Sequence, residues 1–170
     1  MTVDEAEREY ARGREAVDRV IRRADDVTLD DFQYWLFYMD DDLQAFMDRL
    51  SPDVRQKLDY SVESLDALEG WLLRRYQEPG ELQRESELVI WDGAGRYIGE
   101  TIRRNVGGKW RIVLDDPSHV FYRMPQLYDF GPKSTPQCPN YMATAALDRR
   151  TGTFIRGVVE NMKRRYGSST

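Results

Sequence analysis

Charged residues crowd the first 26 positions, yet Val3, Ala6, Tyr10, Val17, Val20, Ile21 and Ala24 recur at three- and four-residue steps, broken only at Gly13. The spacing predicts an amphipathic helix over residues 3–26. A second helix over residues 29–49 follows from Leu29, Phe32, Leu36, Met39, Leu43, Met47 and Leu50. Thr28 is its expected N-cap, with Asp30 and Asp31 placed against the positive end of the helix dipole. Ser51-Pro52 reads as N-cap and first helical residue of a short turn near residues 52–58, because proline lacks an N–H where a helix start has no partner for one. An extended stretch is expected over 58–62. Ser64 is then expected to cap a helix whose inner face is Leu65, Leu68, Trp71, Leu72 and Tyr76, stopped by Glu78-Pro79-Gly80.

Residues 88–106 admit two readings. Leu88-Val89-Ile90-Trp91 could be a buried strand before an Asp92-Gly93 hairpin turn. Leu88, Trp91, Ala94, Ile98, Ile102 and Val106 nevertheless keep helical spacing through three glycines, and the helix is the favoured reading. After Gly107-Gly108, Trp110, Ile112 and Leu114 alternate with polar neighbours as in a half-buried strand, for which residues 119–123 are the expected partner. Four prolines between 124 and 139 predict an ordered surface loop. Helical spacing resumes over 141–147, and Phe154, Ile155, Val158, Val159 and Met162 mark a last helix ending in basic residues.

The predicted fold is therefore α+β: one mostly helical domain over residues 1–170, with a helical part (1–57) and an α+β part (58–170) holding a small antiparallel sheet of two to four strands. A chain of 170 residues is large enough for one core and short for two. Trp71, Trp91 and Trp110 are expected inside it.

Charge adds an asymmetry. Residues 1–87 carry 23 acidic and 12 basic residues, a net of −11, whereas residues 88–170 carry 7 acidic and 13 basic, a net of +6. If the fold kept those halves apart, the molecule would be electrically two-faced. No window is apolar enough to cross a bilayer and no signal-like segment opens the chain, so a cytoplasmic location without membrane contact is expected. The lone Cys138 agrees with a reducing compartment.

Candidate chemistry is sparse. His119 is the only histidine and Cys138 the only cysteine, too few for the usual zinc ligand sets, and no G-x-S-x-G or cysteine-protease signature surrounds any serine or Cys138. No cofactor motif is present, since both phosphate-loop and dinucleotide glycine spacings are missing. Binding rather than catalysis is the expectation. One candidate surface is the outer face of the second helix, where Tyr34, Tyr38, Asp41 and Asp48 lie opposite the Leu36 stripe; Tyr34, Tyr38, Asp41 and Asp42 are its expected contacts with a basic protein partner. Three consecutive aspartates on a helix diverge around its axis, so Asp40 to Asp42 are not expected to hold a metal. The alternative is a small-anion or ligand site, or an unrecognised enzyme centre, built from Glu100, Arg103, Arg104 and Lys109 beside Trp110. Nucleic-acid binding through Arg103, Arg104, Arg149, Arg150 and residues 163–165 is disfavoured by the negative total charge.

The segments LDYSVESLDALEGWLLRRY and GRYIGETIRRNVGGKWRI resemble a class of uncharacterised bacterial domains that pair a "YIGE" helix with a "GGKW" strand. The likeness spans roughly residues 58–114, with 139–158 similar in style. Some members are encoded beside toxin systems and treated as immunity proteins. The resemblance implies an immunity-type inhibitor and brings no catalytic residues with it; that its toxin would be basic is expected from the acidic surface.

Overall fold

A computed structural model describes residues 2–5, 16–22 and 26–167. Much of the first predicted helix, residues 6–15 and 23–25, lies outside the described residues. Residues 3–5 and 16–18 are helical, and the chain has left the helix by Val20.

The second predicted helix is found as two, α1 (Leu29–Phe37) and α2 (Met39–Met47), separated by Tyr38 alone. Hydrogen bonding runs through the joint, with Tyr38 N–H donating to Tyr34 O at 3.2 Å and Asp42 N–H to Tyr38 O at 2.9 Å. Thr28 caps α1 as expected: its Oγ1 accepts from Asp31 N–H, and the Asp31 carboxylate accepts from Thr28 N–H. The buried arc is turned from the predicted stripe by about 60° around the axis, at 3.6 residues per turn. Trp35, Asp42 and Phe46 face the core, whereas Leu29 is exposed. Two features of the core cause the turn. Trp35 finds a buried acceptor in Asp92, at 2.8 Å from Nε1, and Phe46 fills the space left by Gly93.

Next come α3 (Pro52–Arg55) and α4 (Ser64–Arg75). The expected extended stretch between them is instead a turn, with Tyr60 in the left-handed region at φ 63°. Ser64 is the first residue of α4 and not its cap. Its hydroxyl meets the Tyr97 hydroxyl at 2.6 Å. The short α5 (Pro79–Leu82) and a 3-10 turn over Glu85–Glu87 lead into α6 (Leu88–Asn105), confirming the helical reading of this stretch.

The centre of the molecule is α6, and its glycines explain why. A Cβ on Gly93 would collide with Phe46 of α2, one on Gly95 would lie 2.6 Å from the Asn140 amide, and one on Gly99 would collide with the Trp110 ring. The small positions thus admit neighbouring side chains rather than neighbouring backbones. Around them Leu88, Ile90, Trp91, Ala94, Tyr97, Ile98 and Ile102 are buried.

Strand β1 (Lys109–Arg111) pairs antiparallel with β2 (Gln126–Tyr128), with Trp110 opposite Leu127. Residues 119–123, the expected partner, form turns instead. Asp116 starts them, its carboxylate accepting from the N–H and hydroxyl of Ser118. The strand therefore comes just after Pro125, inside the predicted loop, and Leu127 is also bridged to Gln137.

Helix α7 (Pro139–Arg149) begins with proline in its first turn and locks onto α6 by a reciprocal pair: Trp91 Nε1 donates to Asn140 O at 3.1 Å, and Asn140 Nδ2 donates to Trp91 O at 3.2 Å. Helix α8 (Phe154–Tyr166) closes the fold. Two charged side chains cap helices far away in sequence. The fully buried Glu69 of α4 accepts from the N–H groups of Phe154 and Ile155, at 3.1 and 2.8 Å, and so caps α8. Arg150, left-handed at φ 54°, donates to the carbonyls of Leu73, Tyr76 and Gln77 at the end of α4.

Acidic and basic halves of the sequence thus interlock, and Arg156 of α8 meets Asp66 of α4 at 2.9 Å. The two halves are not kept apart, because helices from both share one core. The fold is a mostly helical α+β domain with, among the described residues, one two-stranded antiparallel sheet. Trp91 is buried as expected, Trp71 and Trp110 are half-buried, and Trp35 is wholly buried.

Candidate functional site

The predicted partner face divides in two. Asp42, expected outside, is 5% exposed, and its carboxylate lies between two arginines. Arg19 Nε donates to Asp42 Oδ2 at 2.8 Å, and Arg96 Nη2 approaches the same oxygen at 3.1 Å. Arg96 is fully buried. Its Nε donates to Asp92 Oδ2 at 2.7 Å and its Nη1 to Trp35 O at 2.8 Å, while its guanidinium carbon sits 4.1 Å over the Trp35 ring. Two carboxylates and two guanidiniums neutralise one another inside the core, the arrangement in which buried charge is tolerated. Burial pushes the Asp92 pKa above the ordinary carboxylate range, against the pull of Arg96 and the Trp35 N–H.

Directly above this cluster lies a surface aromatic group. Arg19 covers the half-buried Tyr38 ring at 3.9 Å, and Tyr38 meets Tyr34 and Phe37 edge-on, with centroids 4.8 and 5.2 Å apart. Tyr34 is 54% exposed, Phe37 81% and Leu29 55%. Asp30, Asp40 and Asp41 are exposed on the same two helices. Tyr34, Tyr38 and Asp41 are therefore brought together at the surface, and Asp42 supports them from beneath through Arg19. Sequence reasoning passed over Arg19, because nothing local pairs it with residues 23 positions away. It also passed over the outward turn of Leu29, which depends on Trp35 going in.

The alternative set is only partly assembled. Glu100 Oε1 accepts from Trp110 Nε1 at 2.8 Å and from Arg103 Nη1 at 3.0 Å. Arg104 lies elsewhere, stacked 3.6 Å over the Tyr60 ring, whose other side packs on Tyr97 with centroids 4.8 Å apart. Lys109 pairs with Asp129 at 3.2 Å. Each cation already has its own partner, so the four do not converge on a common ligand position.

Cys138 is buried, its Sγ lies 3.5 Å from Pro125 O, and burial pushes its thiol up to about 12. His119 Nδ1 accepts from Phe121 N–H at 3.1 Å. Of the basic residues considered for nucleic acid, Arg150 is committed to capping α4 and Arg149 lies 5.0 Å over the Phe154 ring. Among the described residues no three His, Cys, Asp or Glu side chains are placed to hold a metal ion, and no helix is long and apolar enough to cross a membrane. No family model, curated protein or solved structure matches the chain.

Proposed function

We propose that this chain is a non-enzymatic protein-binding domain that captures a basic partner through the exposed face of α1 and α2, as an immunity-type inhibitor captures a toxin. One observation carries the reading. Leu29, Tyr34 and Phe37, three large apolar side chains, are exposed along a single helix among exposed aspartates. Solubility alone would favour lysine, glutamate or glutamine at those positions. Tyrosine and phenylalanine offer a large contact area with only two side-chain torsions to immobilise. Asp30, Asp40 and Asp41 supply a field that speeds encounter with a positively charged surface and fixes register.

The test begins with capture from an extract of the native cell on immobilised wild-type chain and on a Phe37→Ala, Asp41→Lys double variant. A basic protein retained by the wild type and lost from the variant is the expected partner. With that protein purified, Asp41→Lys should slow association and flatten its salt dependence, and Tyr34→Ala should mainly speed dissociation. Equal affinity of wild type and both variants would overturn the assignment of this face.

A further inference from the structure

Strand β1 has two edges, and β2 covers one of them. Along that edge Lys109, Trp110 and Arg111 stand opposite Tyr128, Leu127 and Gln126. Leu127 spends its backbone groups on the far side, donating to Gln137 O at 2.8 Å and accepting from Gln137 N–H at 2.9 Å. Gln126 and Tyr128 are therefore the residues whose backbone groups point at β1, and Arg111 and Lys109 answer them. Val113 continues the row by accepting from Arg123 N–H at 3.0 Å. The backbone groups of Trp110 and Ile112 consequently point the other way. Among the described residues neither their N–H groups nor their carbonyls have a hydrogen-bond partner. A row of unpaired main-chain groups is a template for another strand.

The two sides of β1 differ in chemistry. Trp110 turns its ring inward against Gly99 and Trp35, and Ile112, two residues on, packs against the core. Arg111 and Lys109 take the opposite side. Arg111 is half-buried and held in place by an amide and a ring: its Nε donates to Gln126 Oε1 at 3.2 Å, and its guanidinium carbon lies 4.4 Å over the Tyr128 ring. Gln126 is itself fixed through Nε2, which donates to Phe121 O at 3.4 Å. The Nη groups of Arg111 have no partner among the described residues and are not buried. This is a cation already oriented for an incoming carboxylate. The acids nearby are engaged elsewhere, Asp129 with Lys109 at 3.2 Å and Glu100 with Trp110 Nε1 on the inner side.

We propose that β1 takes up an extended segment of a partner protein as a third, antiparallel strand, with an acidic side chain opposite Arg111 and apolar side chains opposite Trp110 and Ile112. In that register Trp110 and Ile112 exchange both main-chain hydrogen bonds with the residues facing them. The residue between falls in a non-hydrogen-bonded pair with Arg111, where Cα atoms approach to about 4.5 Å and side chains meet closely. Alternation sends the two apolar side chains inward beside Trp110 and Ile112. A second copy of this chain fits the edge less well. Self-pairing centred on Trp110 sets Lys109 opposite Arg111, and self-pairing centred on Arg111 sets two guanidiniums opposite each other, where like charges repel. The inference does not depend on the α1–α2 face, and neither test decides the other.

Hydrogen exchange of the free full chain, read in nitrogen-15 correlation spectra, is the first measurement. The Trp110 and Ile112 amides should exchange about tenfold or more faster than those of Lys109 and Arg111, and equal protection of all four would show a closed edge and overturn the proposal. The probe is then the capped heptapeptide Thr-Thr-Val-Glu-Val-Thr-Thr, with a second form carrying lysine at the centre. The glutamate peptide should shift the Trp110 and Ile112 amides saturably, slow their exchange, and bind about tenfold more tightly than the lysine peptide. N-methylation of the second valine, whose N–H faces Trp110 O, should weaken binding about tenfold, whereas N-methylation of the glutamate, whose N–H points away from β1, should leave it unchanged. That comparison uses the wild-type chain and needs no variant to fold. Arg111→Gln should abolish the discrimination between glutamate and lysine peptides, and Arg111→Glu should reverse it. Equal effects of the two N-methyl groups, shifts centred away from residues 109–112, an unchanged peptide order in the folded variants, or a dimer of the free chain that the peptide disperses would each overturn the proposal.

Discussion

Replacing Gly99 by alanine should destabilise the protein, although the same change in an open helix would stabilise it. An alanine Cβ at this site falls well inside contact with Cη2 and Cζ2 of Trp110. Carbon atoms settle at about 3.5–4.0 Å, so the indole must retreat by more than about 1 Å. It is not free to do so. Its Nε1 is hydrogen-bonded to Glu100 at 2.8 Å, and its ring meets Trp35 edge-on with centroids 4.9 Å apart. Overpacking costs about 1–3 kcal/mol, and a weakened hydrogen bond and aromatic contact add about 1 kcal/mol each. Higher helix propensity returns about 1 kcal/mol. The net loss is about 2–4 kcal/mol, which for a chain of this length lowers Tm by about 4–16 °C. Gly157 in α8 supplies the control, because an added Cβ there meets nothing within 4 Å. Gly157→Ala should raise stability by about 0.5–1 kcal/mol. Thermal and urea unfolding followed by far-ultraviolet circular dichroism measure both. If Gly99→Ala matched or exceeded the wild type, the packing of Trp110 onto α6 would be wrong.

Two further outcomes follow from buried groups. Asp42→Ala strips a partner from Arg19 and from the fully buried Arg96, so urea unfolding should show a loss of about 3–5 kcal/mol. The neighbouring exposed Asp41→Ala should stay within about 0.5 kcal/mol, and equal effects would place Asp42 at the surface. Cys138 has its thiol raised from 9.0 to about 12 in the folded state, so its stabilising effect is complete below pH 9 and is lost as pH rises toward 12. Between pH 9 and 10 the wild type should lose about 1 kcal/mol more than Cys138→Ala, and identical pH slopes for the two would refute the buried neutral thiol.

Much of the local structure could be read directly. Thr28 and Pro52 mark helix starts through chemistry confined to one turn, and periods of three and four identified α4, α6 and α8, whereas Pro139, read as the end of a loop, opens α7. The candidate surface was legible only in part. Tyr34 and Asp41 lie outside as their spacing implies, but Asp42 does not, because charge patterning assigns an aspartate to solvent unless a partner is known. Its partners, Arg19 and Arg96, are 23 and 54 positions away. The strand pairing failed for a related reason. Alternation marks residues able to form a strand, whereas the turn at Asp116 and Ser118 decides which later segment reaches β1.

The sequence by itself determined the class of fold, the central helix and the outward aromatic character of α1, since these rest on periodicity and capping within a few residues. Tertiary structure decided the rotation of α1 and α2, the glycine sockets of α6 for Phe46, Asn140 and Trp110, and the capping of α8 by Glu69. Each of those is a contact between residues far apart in the chain. A buried polar or bulky group can choose its side of a helix only when a complementary group arrives from another element, and no local pattern encodes that arrival.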